Sequence, residues 1–166
     1  IITDTGSFKY SSVTSTTHQI AAFLKDKGLN QVVIHDKIFD QNSVSKINLL
    51  GYALQKIKIE ESVSLALLFL TEKELNMFNY QKGDSEGFVN YCLSIKGIEN
   101  AVFLREDKDI IKISLRSQGK VKVNEFSSKF YAGGGHQNAA GAAVKNQDIN
   151  TVVKELIQNF KVFCSE

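Results

Sequence analysis

From Ile111 to Arg116 the chain alternates residue by residue: Ile111, Ile113 and Leu115 are apolar, while Lys112, Ser114 and Arg116 are polar. A period of two marks a strand buried on one face only. Any fold of this chain must therefore give that strand a core side and an open side, with Arg116 pointing away from the core. The strand leads through Gly119 into an amphipathic segment, Val121 to Tyr131, in which Val123, Phe126 and Phe130 recur at helical spacing. The segment stops at Gly133-Gly134-Gly135-His136, and the small-residue run Ala139-Ala140-Gly141-Ala142-Ala143 follows. Consecutive glycines carry no Cβ, so a ligand can approach the main chain closely, and oriented amides of this kind suit an anion. With His136 next door and Arg116 upstream, the phosphate of a nucleotide or short nucleic acid is the natural guest. The competing reading of the glycines is a flexible turn, and that of Arg116 a surface cation on a sheet face.

The rest of the chain alternates strands and helices, which argues for an α/β fold. Ile1-Ile2 reads as the end of a buried strand and Thr3-Asp4-Thr5-Gly6-Ser7 as the loop leaving it; Asp4 is there a turn residue or a metal ligand. A helix is predicted from Ser15 to Lys27, with Ile20, Phe23 and Leu24 on its inner face and Gly28 as its stop. Leu29 to Phe39 fits strand or helix. Asn42 or Ser43 caps a further helix carrying Ile47, Leu50, Leu54 and Ile57, and a domain boundary is expected near residues 57 to 61. Ser62 to Leu70 reads as a buried strand, and Thr71 with Glu74 as the capping box of a short helix through Phe78. After a turn at Gln81 to Ser85, Asp84 or Ser85 starts a helix burying Phe88, Val89, Cys92 and Ile95. Ala101 to Leu104 is a strand, Glu106 to Asp109 a charged turn, and Ile149 to Phe163 a helix with a full core stripe.

Charge adds little by itself. The net charge is +2 over 166 residues; Arg105 to Lys129 holds seven Lys or Arg against four Asp or Glu, a local +3. That is too weak to imply long-duplex binding and suits a small anionic ligand. No apolar run approaches the roughly 20 residues needed to span a bilayer. The chain opens without an initiator Met or a signal-peptide pattern, as a piece of a longer protein would, and a cytoplasmic location is expected. Cys92 and Cys164 show no disulfide or zinc spacing. His18 and His35 have no partner at metal spacing, and Tyr131 is a base-stacking candidate with a core role as the alternative.

Together, Ser114-Leu115-Arg116-Ser117, the helix after it, Gly133-Gly134-Gly135-His136 and Ala139-Ala140-Gly141 resemble the DHH-associated C-terminal domain of the DHH phosphoesterases. These include the RecJ nucleases and the bifunctional oligoribonuclease/pAp phosphatases. Thr3-Asp4-Thr5-Gly6-Ser7-Phe8 resembles the last metal-binding motif of their catalytic domain, and the order and separation of the two motifs resemble the small nanoRNase type. Many members have a fourth glycine where Ala132 stands. The resemblance implies a mixed-sheet DHH-associated domain over residues 61–166, a linker helix over 42–60 and a remnant of the α/β catalytic domain over 1–41. It implies that Asp4 ligates manganese in a dinuclear site whose other aspartates lie upstream of Ile1, in a catalytic domain missing here, so that the fragment alone is inactive. Arg116, Gly133, Gly134, Gly135 and His136 would then hold the substrate phosphate, with Ser114 and Ser117 adding hydroxyls. The implied substrates are short single-stranded oligonucleotides and 3′-phosphoadenosine 5′-phosphate. Cyclic dinucleotides and polyphosphate remain open alternatives, as do a binding module like that of alanyl-tRNA synthetases and a homodimerisation role.

Overall fold

The computed structural model describes residues 1–10 and 12–166. They form two compact units, Ile1–Asn42 and Ser43–Glu166.

In the first unit, residues 1–10 coil through turns, with Ser7 and Phe8 at φ 58° and 66°. Ile1-Ile2 is not a strand here, because no described strand of this unit lies beside it to pair with. Helix α1 (Ser15–Asp26) ends as expected, with Gly28 at φ +90°. The ambiguous segment folds as helix α2 (Gln31–Phe39), and the cause is its cap: Asn30 Oδ1 accepts from the Val32 and Val33 amides at 3.1 and 3.3 Å. Ile20 and Phe23, expected on an inner face, are 46% and 57% exposed. A largely apolar hollow of about 260 Å³ opens between Ile2, Phe8, Leu24, Leu29, Ile34 and Ile38.

The second unit begins with Ser43, whose hydroxyl caps helix α3 (Val44–Gln55) by accepting from the Lys46 amide at 3.0 Å. The compact units divide at 42/43, beside the boundary expected at 41/42 and ahead of the one expected near 57 to 61. The reason is packing: α3 buries Leu49 and Ala53 completely and behaves as part of this unit's core. Strand β1 (Lys58–Glu60) and a single 3₁₀ turn lead into β2 (Leu65–Leu70), buried at every position. The predicted capping box then starts α4 (Glu72–Met77). Its Glu74 also reaches α3, accepting from Tyr52 Oη at 2.6 Å and pairing with Lys56. Helix α5 (Phe88–Leu93) starts at Gly87 rather than at Asp84 or Ser85, since residues 82–87 are used up in turns.

Strands β3 (Asn100–Asp107) and β4 (Ile110–Ser117) form a long hairpin; the charged turn shrinks to Lys108-Asp109 because Glu106 and Asp107 stay in the ladder. Helix α6 (Val123–Tyr131) is followed by a short hairpin of β5 (Gly134–His136) and β6 (Ala139–Lys145), and α7 (Ile149–Ser165) closes the chain. The six-stranded mixed sheet has the order β1-β2-β3-β4-β6-β5, with β2 and β3 parallel and the other pairs antiparallel. One sheet face carries Leu67, Val102, Leu104, Ile113, Leu115 and Ala140 under α6 and α7. The other carries Leu68, Leu70, Ala101 and Phe103 under α3, α4 and α5. Those three helices lie over the β2–β3 end, and α5 also reaches β4, so the far part of β4 together with β6 and β5 keeps one open face.

Candidate anion-binding face

Strand register decides what stands on that bare face. Arg116 is paired with Ala101 on one side and Ala139 on the other, and Ala139 is paired with His136. Residues directly opposite one another in antiparallel strands point to the same face. Arg116, Ala139 and His136 thus form one row, with Arg116 and His136 two strand spacings apart, about 10 Å between Cα atoms. The next row is Phe103, Ser114, Gly141 and Gly134, and the one after is Arg105, Lys112 and Ala143. Ala139 and Gly141 keep the floor low between a guanidinium on one side and an imidazole on the other. Of these, Gly134, His136, Gly141 and Ala143 are exposed, and Arg116 and Ser114 are half-buried.

Among the described residues the Arg116 side chain donates once, from Nη1 to the Leu115 carbonyl at 2.8 Å. It has no acidic partner among the described residues. A guanidinium carries five N–H donors in a fixed fork, so most of its capacity is left unused by the described residues. His136 makes no side-chain hydrogen bond among the described residues and sits on β5, the sheet edge.

The three glycines divide by role. A Cβ at Gly133 would stand 2.2 Å from Ser127 Oγ and 2.4 Å from the Gly141 carbonyl, and the Gly133 amide bonds the Ser127 carbonyl at 3.0 Å. Its amide is therefore spent on the end of α6. Gly135 has φ +143°, and a Cβ there would lie 2.5 Å from the Ala139 carbonyl. Gly134 alone has nothing within 4 Å of its would-be Cβ; it is open, ordinary in φ, and in the row of Ser114. Gly133 and Gly135 thus answer to local fit, and Gly134 is the position where bare backbone meets empty space.

Ser117 parts from the other candidates. It lies on the core side of β4, 5% exposed, donating from Oγ to the Val121 carbonyl at 2.8 Å and accepting from Asn138 Nδ2 at 3.0 Å. It ties the loop after β4 to the turn of the glycine hairpin and does not share the face of Ser114. Tyr131 packs with the α6–α7 core, its hydroxyl accepting from Asn159 at 3.4 Å. Cys92 is fully buried, and burial pushes its thiol up to about 11. Asp4 is exposed in the turn of the first unit. Among the described residues no group of three or more His, Cys, Asp or Glu could hold a metal ion.

The same bare face continues into a cavity of about 450 Å³ beside β4, bounded by Tyr80, Phe103, Arg105, Lys112, Ser114 and Arg116. Arg105 escaped sequence reading because β3 was expected to stop at Leu104; the strand runs three residues further, to Asp107, and places Arg105 opposite Lys112. Tyr80 escaped because it lies outside any helix or strand, where no periodicity points to it.

The second unit is a mixed-sheet α/β domain with a cationic strand beside a glycine hairpin. Residues 62–162 match the DHHA1 domain, and the chain belongs to that family. Two curated relatives are both named bifunctional oligoribonuclease and PAP phosphatase NrnA. The one from Thermus thermophilus is 28% identical over 158 residues, 95% of this chain and 47% of that protein. The one from Bacillus subtilis is 27% identical over 167 residues, 100% of this chain and 51% of that protein. This chain therefore spans about half the length of the curated relatives it matches. An exopolyphosphatase-related protein from Bacteroides fragilis, solved by crystallography, has TM-score 0.92 and 40% identity over 99% of this chain and 49% of its own. No described helix is long and apolar enough to cross a membrane.

Proposed function

We propose that this chain is the C-terminal portion of a manganese-dependent phosphoesterase that hydrolyses short oligonucleotides and 3′-phosphoadenosine 5′-phosphate, and that its part is to bind the nucleotide phosphate. The observation that carries the reading is the single row of Arg116, Ala139 and His136 across three strands. The family match supports a nucleotide phosphoesterase as the parent.

In this reading the phosphate lies over Ala139 and Gly141. Arg116 donates charge-assisted hydrogen bonds from the inner strand β4, Gly134 lets the ligand close on the main chain, Ser114 offers a hydroxyl and His136 bonds from the edge. Such fixing holds the scissile bond in one orientation, the entropic half of catalysis. The hydrolytic half belongs to carboxylates outside this set: Asp4 alone does not fit a dinuclear manganese centre, so these residues bind and orient while the phosphorus chemistry lies elsewhere in the parent. The name of the Bacteroides fragilis relative favours a second reading, with polyphosphate as the anion.

Calorimetric titration of the 166-residue chain with 3′-phosphoadenosine 5′-phosphate and with tripolyphosphate separates the two. The proposal expects the nucleotide to bind and Arg116→Ala to weaken it about 10- to 100-fold, the worth of a charge-assisted hydrogen bond. Unchanged affinity in Arg116→Ala, or binding of tripolyphosphate alone, refutes it. With manganese present the isolated chain should show no turnover.

A further inference from the structure

We propose that the cavity between residues 80–87 and β4 is a second subsite, which takes the next phosphate-bearing nucleotide unit of an oligonucleotide whose end lies over the glycine hairpin. The inference rests on the nucleotide reading of the bare face and adds to it a place for the rest of the chain.

Several independent features converge there. Arg116 belongs to both regions: Ala139 and His136 continue its row on one side, and the cavity opens on the other. A substrate anchored by Arg116 can thus run along β4, over Ser114, towards Lys112, about 13 Å away at the strand rise. The cavity volume of about 450 Å³ is within the range of small-molecule sites. Its lining is cationic, with Lys82, Arg105, Lys112 and Arg116 against the one acid Glu86. It also holds an aromatic ring fixed in place: Tyr80 Oη accepts from Arg105, whose guanidinium carbon lies 4.9 Å from the ring centroid. A ring held in this way offers a base a stacking partner without first being ordered.

Asp107, outside the cavity lining, is the counter-charge of two of its cations. It accepts from Lys112 Nζ at 2.5 Å and lies 3.7 Å from Arg105 Nη2. An incoming phosphate exchanges places with that carboxylate, which is 39% exposed and free to turn into water. Asp107 is thereby a competitor for the two cations that face the cavity, and its removal should tighten binding.

The test uses the 166-residue chain and three probes: 3′-phosphoadenosine 5′-phosphate, the 5′-phosphorylated adenine dinucleotide, and tripolyphosphate. The dinucleotide should bind about tenfold or more tighter than the mononucleotide, as expected for one further stacked base. Tyr80→Ala and the surface change Lys112→Ala should each remove that margin and leave mononucleotide affinity unchanged, Tyr80→Phe should keep it, and Asp107→Asn should widen it. Thermal unfolding of each variant shows that the fold is kept; Lys112→Ala, at an exposed position, decides if Tyr80→Ala does not fold. Equal affinity for mono- and dinucleotide, equal loss of both in the variants, or tripolyphosphate binding as tightly as the dinucleotide overturns the subsite. An Arg116→Ala variant that binds both nucleotides like the parent chain sinks the underlying phosphate-site reading instead, so the two failures are distinct.

Discussion

Replacing the hairpin glycines by alanine one at a time separates fold from binding. At Gly133 the new Cβ would meet Ser127 Oγ at 2.2 Å and the Gly141 carbonyl at 2.4 Å. The second is backbone of β6 and cannot swing aside. The first belongs to a fully buried hydroxyl that donates to the same Gly141 carbonyl at 3.0 Å. Overpacking costs about 1–3 kcal/mol, and displacing a buried hydroxyl from its acceptor adds on the order of 1 kcal/mol or more. Gly133→Ala should therefore lose about 3 kcal/mol, some 10 °C in melting temperature for a unit of this size. Gly134 has no atom within 4 Å of its would-be Cβ and a φ that alanine adopts. Gly134→Ala should melt at the parent temperature or slightly above, because alanine restricts the unfolded chain. Its added methyl, however, points into the row where the phosphate is placed, so nucleotide affinity should fall at least tenfold. Scanning calorimetry with calorimetric titration reads both quantities. Equal melting losses at the two positions, or an unaltered affinity in Gly134→Ala, would refute the division of roles drawn from the structure.

Two further outcomes follow from particular contacts. Ala132 closes α6 in the left-handed region at φ +48°, a conformation that costs a side chain on the order of 1 kcal/mol; Ala132→Gly should raise the unfolding free energy by about 0.5–1 kcal/mol, measured by urea denaturation. Burial pushes the Glu74 carboxyl up, but hydrogen bonds from Lys56, Tyr52 and Thr71 outweigh it and hold the group at about 2 against an ordinary 4.5. Its stabilisation, on the order of 3 kcal/mol, is therefore fully present above pH 4.5 and lost as pH falls towards 2. Acid titration of stability should show that loss in the parent chain and not in Glu74→Gln.

The strongest signals in the sequence were local and periodic. The alternation from Ile111 to Arg116 is realised residue for residue, because a strand covered on one face needs that pattern. The capping box at Thr71 and Glu74 forms with both reciprocal bonds, and the stripes of α6 and α7 meet around Phe126 and Phe160. What stayed hidden depended on partners distant in sequence. Ala139 to Ala143 forms β6 although alanine and glycine are poor strand formers; the strand exists because β4 and β5 flank it. The extra length of β3 runs through Arg105, Glu106 and Asp107, whose charges read as a turn until β4 is seen beside them. The break at Ser43 falls beside the 41/42 boundary that the resemblance implies; what stayed hidden is that the linker helix belongs to the second unit, through burial of Leu49 and Ala53 against β2. In the candidate site, Arg116 and His136 were legible as residue types, and register alone put them on one face. The separate duties of Gly133, Gly134 and Gly135 depend on what surrounds each, and Tyr80 is brought to the site by a turn with no periodicity to follow.

The central claim is that the bare face of β4, β6 and β5 holds the nucleotide. Backbone amide chemical shifts of the isotope-labelled 166-residue chain, followed while 3′-phosphoadenosine 5′-phosphate is added, test it most directly. The account predicts the largest changes at Ser114, Arg116, Gly134, His136, Ala139 and Gly141, fading towards α7. Changes concentrated instead on α6 and α7, or in residues 1–42, would contradict it.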